Sequence, residues 1–397
     1  MNEQAGWVQK PLSEVGELIR GRRFTKNDYV KAGLGCIHYA QIYTDFGFTA
    51  RNPLTFLAET SRPRMRLAHP GDLIIAATSE NVADVGKAVA WLGGDDVAVH
   101  DDCYIFRHGL DPAYVSYFFA SSLFQEQKIK YVSETKVVRI SGADLNLIEI
   151  PIPPAPVQER IVEVIGAVDD QITALYAEAD ALDALLRGRK EELFAHYTAT
   201  GTPLPIGEVL EEVKRPITVD PEAEYWQIGI RSHGRGLFTK EAVTGESLGS
   251  KKVFWVEPGD LVINIVFAWE GAVAIVPPEI EGYCGSHRFP TYQRLGGGDV
   301  EFFRLFFSTK PGTRLLANCS PGGAGRNRTL SRKRLMQSPV GMPSTKEQER
   351  AICELQALEA SVAAVRAEAD RLRAARAALL AGLLDRSIDL ADAEREV

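Results

Sequence analysis

Cysteine is scarce and never paired: the five, at positions 36, 103, 284, 319 and 353, lie far apart and form no Cys-x-x-Cys. An odd, scattered set of thiols excludes a disulfide framework and suits a reducing compartment. It also argues against zinc, whose ligands come in close pairs. No apolar run approaches the ~18 residues that span a bilayer. The start, Met1-Asn2-Glu3-Gln4, has neither the basic segment nor the apolar core of a signal peptide. These absences predict a cytoplasmic chain with no membrane contact. Catalytic signatures are missing as well: no Asn-Pro-Pro-Tyr-like methyltransferase motif, no GxGxxG after a strand, no HExxH. Glu134-x-Lys136 with Asp101-Asp102 is the nearest approach to a metal-dependent nuclease, and the second half of the chain has no counterpart. Cys284 and His287 form a local pair with no orienting partner, a weak nucleophile signal. The reading is of a chain with no catalytic residue and no metal site.

What is present is repetition. The 397 residues, 45% of them hydrophobic, suffice for two or three domains, and the chain is written twice. Pro70-Gly71-Asp72-Leu73-Ile74-Ile75 returns as Pro258-Gly259-Asp260-Leu261-Val262-Ile263. Asp111 followed by Tyr117-Phe118-Phe119 returns as Asp299 followed by Leu305-Phe306-Phe307, and Gln158-Glu159-Arg160 as Gln348-Glu349-Arg350. Gly16-Glu17-Leu18 has its echo in Gly207-Glu208-Val209. The nearly constant offset marks a tandem duplication. Each copy reads as a turn that launches a short apolar strand (Leu73–Ala77, Leu261–Val266), then a helix capped by Asp111 or Asp299. Tyr114, Tyr117, Phe118 and Leu123 fall on one helical face and read as core.

After the Pro-rich stretch 151–156, positions 161, 165, 168, 172, 175, 179, 182, 186, 189 and 193 form a heptad seam of mostly apolar residues. Adding 190 to each position gives a second seam from Ala351 to Leu383. Matching narrow stripes favour packing of the two helices on each other, antiparallel, over packing of each on its own domain. A helix of this length spans roughly 50 Å at ~1.5 Å per residue. The expected architecture is an α/β (α+β) tandem repeat: two mixed α/β domains, 1–156 and 198–343, with long coiled-coil helices at 157–197 and 344–388 and a tail beyond.

Net charge is −8, yet the acid is concentrated in the first long helix. Residues 158–192 carry nine acids against four bases, whereas 20–66 carry nine bases against three acids and 288–334 ten against two. Basic stretches in both domains suit a phosphate backbone. The densest, 320–334, runs from glycines into Arg326-Asn327-Arg328, side chains suited to guanine and adenine edges. The first copy offers Lys136 and Arg139 there. These five, with His287, Arg288, Thr78, Ser79 and Asn81 at strand ends, are the candidate DNA-contacting residues.

Assembled, the chain resembles type I restriction specificity subunits. The resemblance rests on Ile150-Pro151-Ile152-Pro153-Pro154-Ala155-Pro156-Val157-Gln158-Glu159-Arg160-Ile161, a Pro-rich strand end running into a long helix. Its echo is Met342-Pro343 through Glu347-Gln348 to Ile352, and Pro-Gly-Asp-Leu occurs in each half. It implies two target-recognition domains that read a bipartite, asymmetric site on double-stranded DNA. It implies helices that dock two methyltransferase (modification) subunits, for which Ile161, Ile165, Val168, Ile172, Leu355, Leu358, Val362 and Val365 are the candidate contacts. Restriction motor–nuclease subunits would join these. S-adenosylmethionine, ATP and Mg would reside in those partners and no cofactor in this chain. The competing readings are a coiled-coil DNA-binding scaffold of another defence or chromosome-organising assembly, and an autonomous nuclease.

Overall fold

The computed structural model describes residues 6–132, 137–249, 251–322 and 328–388. They fall into two units: residues up to 175 with those from 367 onward, and residues 176–366. The duplication is visible in their sheets. In the first unit Gly16–Arg20, Cys103–His108, Leu73–Ala76 and Ala88–Trp91 lie side by side in that order, with Thr49–Ala50 added at the edge. In the second, Leu210–Val213, Thr291–Arg294, Leu261–Ile263 and Val273–Ile275 take the same order. Register is kept as well, with Phe106 opposite Leu73 and Tyr292 opposite Leu261. The first unit adds a second five-stranded sheet centred on Leu34–Ile37, whereas the second has only two-stranded ribbons in the corresponding stretch. The apolar strands are shorter than the sequence suggests, Leu73–Ala76 and Leu261–Ile263.

The Pro-Gly-Asp repeat has a local cause. Gly71 and Gly259 take φ of 96° and 87°, the left-handed region that a type II turn needs at its third residue. The Asp side chain then reaches back three residues, accepting from His69 N–H (2.8 Å) or Glu257 N–H (3.0 Å). Both carboxylates are buried and each meets an arginine, Arg107 at 2.8 Å from Asp72 and Arg215 at 2.7 Å from Asp260. Asp111 and Asp299 cap the helices Pro112–Ala120 and Val300–Phe307 through Tyr114 N–H (2.9 Å) and Glu301 N–H (2.7 Å). The aromatic stripe lies in the core: Tyr114, Tyr117 and Phe118 are buried.

The long helices run Ala155–Thr200 and Thr345–Asp385, 46 and 41 residues, against the expected 157–197 and 344–388. Every seam position is buried or half-buried. In the second unit Arg366 faces Asp180 (3.5 Å) and Arg189 faces Glu354 (2.5 Å), so one helix number falls as the other rises: the pair is antiparallel. In the first unit Arg376 meets Asp169 (3.1 Å), and Ile161 and Ile165 share one core with Leu380, Leu383 and Leu384. This burial bears on one expectation. Ile161, Ile165, Val168, Ile172, Leu355 and Val362 are buried inside the chain, and Leu358 and Val365 are half-buried beside them. A side chain sealed in its own seam cannot touch a partner, so these residues build the helix pair and any docking falls to its outer faces. The repeated glutamine pins each helix to its domain: Gln158 Nε2 donates to Pro153 O (2.9 Å), and Gln348 Nε2 to Pro343 O (3.1 Å). Among the described residues no helix is long and apolar enough to cross a membrane.

Candidate nucleic-acid interface

At one end of each sheet three backbone hydrogen bonds repeat. In the first unit Cys103 N–H closes a turn on His100 O (3.0 Å), Ala77 N–H reaches Asp102 O (2.8 Å), and Ile140 N–H reaches Ala77 O (3.1 Å). In the second, Phe289 N–H closes on Ser286 O (2.9 Å), Ile265 N–H reaches Arg288 O (3.0 Å), and Leu330 N–H reaches Ile265 O (2.8 Å). Three chain segments therefore meet in the same way in both copies, and the candidate residues sit on them.

Thr78, Ser79 and Arg139 are brought together in a two-stranded ribbon, Arg139 opposite Thr78 and Val138 opposite Ser79. Arg139 is exposed. Thr78 donates from Oγ1 to Asp102 (3.2 Å) and accepts the Tyr43 hydroxyl at its carbonyl (2.6 Å). Ser79 is buried, and Asn81 is tied up with Asp84 through both side-chain ends (2.7 and 2.8 Å), so these two shape the loop. In the second unit His287 and Arg288 occupy the exposed centre of the turn. Arg328 lies over the Trp269 ring at 5.2 Å. Lys136, Arg326 and Asn327, like Glu134, lie outside the described residues. Cys284 is buried, and burial pushes its thiol up, the reverse of what a nucleophile needs.

Two groups were not anticipated as contacts. The first is the turn Asp101-Asp102, which occupies in the first unit the place of His287-Arg288. The intervening loop is shorter in the second copy, so the offset there is 186 and the equivalence is hidden in the sequence. Arg20 flanks this turn, donating from Nε to Asp101 O (3.0 Å), and Arg22 and Arg23 are exposed nearby in sequence. His38 packs against His100 at a tilt, with ring centroids 4.2 Å apart. Burial and the adjacent His100 push the His38 imidazole down to about 4, so it stays neutral and keeps its Nδ1 bond from Ala40 N–H (3.3 Å). His100, Asp101 and Asp102 have ligand atoms within 4.8 Å of one another. Both ring nitrogens of His100 are already engaged, Nε2 with Phe24 O (3.0 Å) and Nδ1 with Asp102 N–H (3.2 Å), so the trio reads as a braced turn. The second group lines a cleft of about 230 Å³ beside His287, where Lys214, Lys252 and Arg332 meet Phe254 and Phe289. Lys214 and Arg332 pair with Glu212, whereas Lys252 has no ion pair among the described residues. Lys252 is exposed at the rim of this cleft.

Comparison with known proteins agrees with this geometry. Residues 4–181 match the family described as type I restriction modification DNA specificity domain. The chain is 21% identical over 379 residues to the type I restriction enzyme EcoKI specificity subunit of Escherichia coli (strain K12), covering 86% of this chain and 80% of that one. To the StySPI specificity subunit of Salmonella potsdam it is 24% identical over 195 residues, 48% of this chain and 42% of the relative. Among solved structures, the type I restriction–modification S subunit from M. genitalium superposes with a TM-score of 0.52 at 14% identity, over 97% of both chains. A chain from a study of complex assembly and conformational transition of the type I system gives 0.60 at 16% identity, over 96% of this chain and 97% of its own. At such identities the structures speak for the fold alone.

Proposed function

We propose that the chain is a member of the type I restriction–modification DNA specificity family, whose model matches residues 4–181, and that each of its α/β units reads one half of a split, asymmetric sequence in double-stranded DNA. The carrying observation is the repeated turn: one scaffold, sharing three backbone hydrogen bonds, presents Asp-Asp in one copy and His-Arg in the other. Two readers built this way have the same docking surface and different preferences. The long helices join the readers and offer their outer faces to two modification subunits. Those subunits, with the restriction subunits, supply S-adenosylmethionine, ATP, Mg and all bond-breaking chemistry. This chain contributes recognition and performs no covalent step.

The direct test is methylome sequencing of a host that expresses the chain with its modification partner. The expected result is one methylated motif of two short specified halves separated by unread base pairs. Binding by the reconstituted complex that is indifferent to sequence would overturn the reading. Within the same assay Lys252→Gln separates affinity from reading. Loss of one phosphate contact should weaken binding to every duplex alike and flatten the log–log salt slope by about one. A changed motif in that variant would place Lys252 on a base.

A further inference from the structure

The equivalent turns differ in the sign of their charge, and the difference has a chemical meaning on DNA. Two arginines lie near this turn: Arg20 bonds the Asp101 carbonyl, and Arg139 lies opposite Thr78, which holds Asp102. Even so, among the described residues neither carboxylate forms an ion pair with a lysine or arginine: they lie 3.3 and 3.6 Å from the His100 ring nitrogens, and Asp102 also accepts from Thr78 Oγ1. Arg20 directs its Nε to the carbonyl of Asp101. Asp101 keeps a third of its side chain exposed. A carboxylate facing a duplex is repelled by every phosphate. What DNA offers such a group is an exocyclic amino donor, N4 of cytosine or N6 of adenine, at the major-groove edge. An arginine in the equivalent turn, one position further on, meets the opposite pattern, the O6 and N7 acceptors of guanine.

We propose that the turn is the specificity-determining position of both units. Asp101 accepts a hydrogen bond from the amino group of a cytosine or adenine in one half-site, and Arg288, in the equivalent turn, donates to a guanine in the other. Asp102 is a positioning residue: its carbonyl is fixed by Ala77 N–H and its carboxylate by Thr78. The proposal rests on the DNA-reading function above and assigns chemistry to each half.

The experiment is selection from randomised duplexes by the complex of this chain with its modification subunits, comparing wild type with Asp101→Asn, Asp101→Ala and Arg288→Gln. Thermal unfolding of each variant checks folding. Asp101→Asn keeps the side-chain shape, so it remains informative where the alanine variant is unstable. Either Asp101 change should relax the preference at one base pair of one half-site, by roughly 5- to 150-fold, and leave the other half untouched. Arg288→Gln should do the same in the opposite half. Folded variants that select the wild-type motif unaltered, or that lose binding to all sequences alike, overturn the proposal. So does an affinity loss that magnesium modulates without a change of motif, which would make the turn a metal-bridged phosphate contact. If wild type itself selects no split motif, the function proposed above fails; if it does and the variants follow it unchanged, only the turn assignment fails.

Discussion

Asp260→Ala should cost the second unit about 3–5 kcal/mol, the range for removing one partner of a buried ion pair. Asp260 is fully buried and accepts from three directions: Arg215 (2.7 Å), Gln293 Nε2 (3.0 Å) and Glu257 N–H (3.0 Å). Deleting the carboxylate leaves the Pro-Gly-Asp turn without its clasp and the Arg215 guanidinium with Glu257 alone. Against a domain stability of roughly 5–15 kcal/mol this is enough to melt the unit early. The equivalent change, Asp72→Ala, should cost less, about 1–3 kcal/mol. Its partner Arg107 is 38% exposed where Arg215 is 16% exposed, so water replaces the lost anion more readily. The measurement is thermal unfolding of the full chain with limited proteolysis to identify which unit opens. Equal effects at the two sites, or losses below about 1 kcal/mol at both, would refute the role of burial.

That clasp also shows how far the sequence could be read. Pro-Gly-Asp is legible because a turn needs glycine at a positive φ and the aspartate acts within three residues. The capped helices and the two seams are legible for the same reason: their cause is local or periodic. The partners of Asp72 and Asp260 were not legible, since Arg107 lies on a paired strand and Arg215 comes from a different segment of its copy. The candidate site divides along the same line. His287 and Arg288 were legible as polar residues at a strand end, and the structure exposes both. Asp101-Asp102 could not be recognised as their equivalent, because that rests on backbone hydrogen bonds between segments more than twenty residues apart. The seams were legible as two helices packed on each other, and the ion pairs show that pairing; the same residues were also offered as partner contacts, a use their burial disfavours. A heptad pattern states that a stripe is covered and does not state by what.

Arg376→Ala tests what holds the helix pair to the first domain, and its expected effect is as large. Asp169 on the first long helix pairs with Arg376 on the second at 3.1 Å, and the guanidinium lies 4.5 Å from the face of Phe48 in the recognition domain. Burial raises the Asp169 carboxyl above its ordinary value by more than Arg376 and Tyr117 lower it. A folded-state value raised above the unfolded one contributes stability that is fully present below pH 3.8 and is lost as pH rises through the folded value. Removing Arg376 raises the carboxyl further, so the loss extends to higher pH. The variant should therefore be weaker at pH 7 than at pH 5, by about 3–5 kcal/mol relative to wild type at pH 7. Exchanging both partners for apolar residues of similar volume, Arg376→Met with Asp169→Leu, should recover most of that loss, because neither buried charge is left alone. Urea unfolding of the three proteins at both pH values decides it. The second unit has already made a different choice at this place. Glu359, 190 residues on from Asp169, pairs with Arg304 from the domain's own helix at 2.6 Å. The acid on the long helix is common to both copies, and the source of the arginine is free to change. A double variant no more stable than Arg376→Ala alone would show that the pair is needed for something other than neutralising a buried carboxylate.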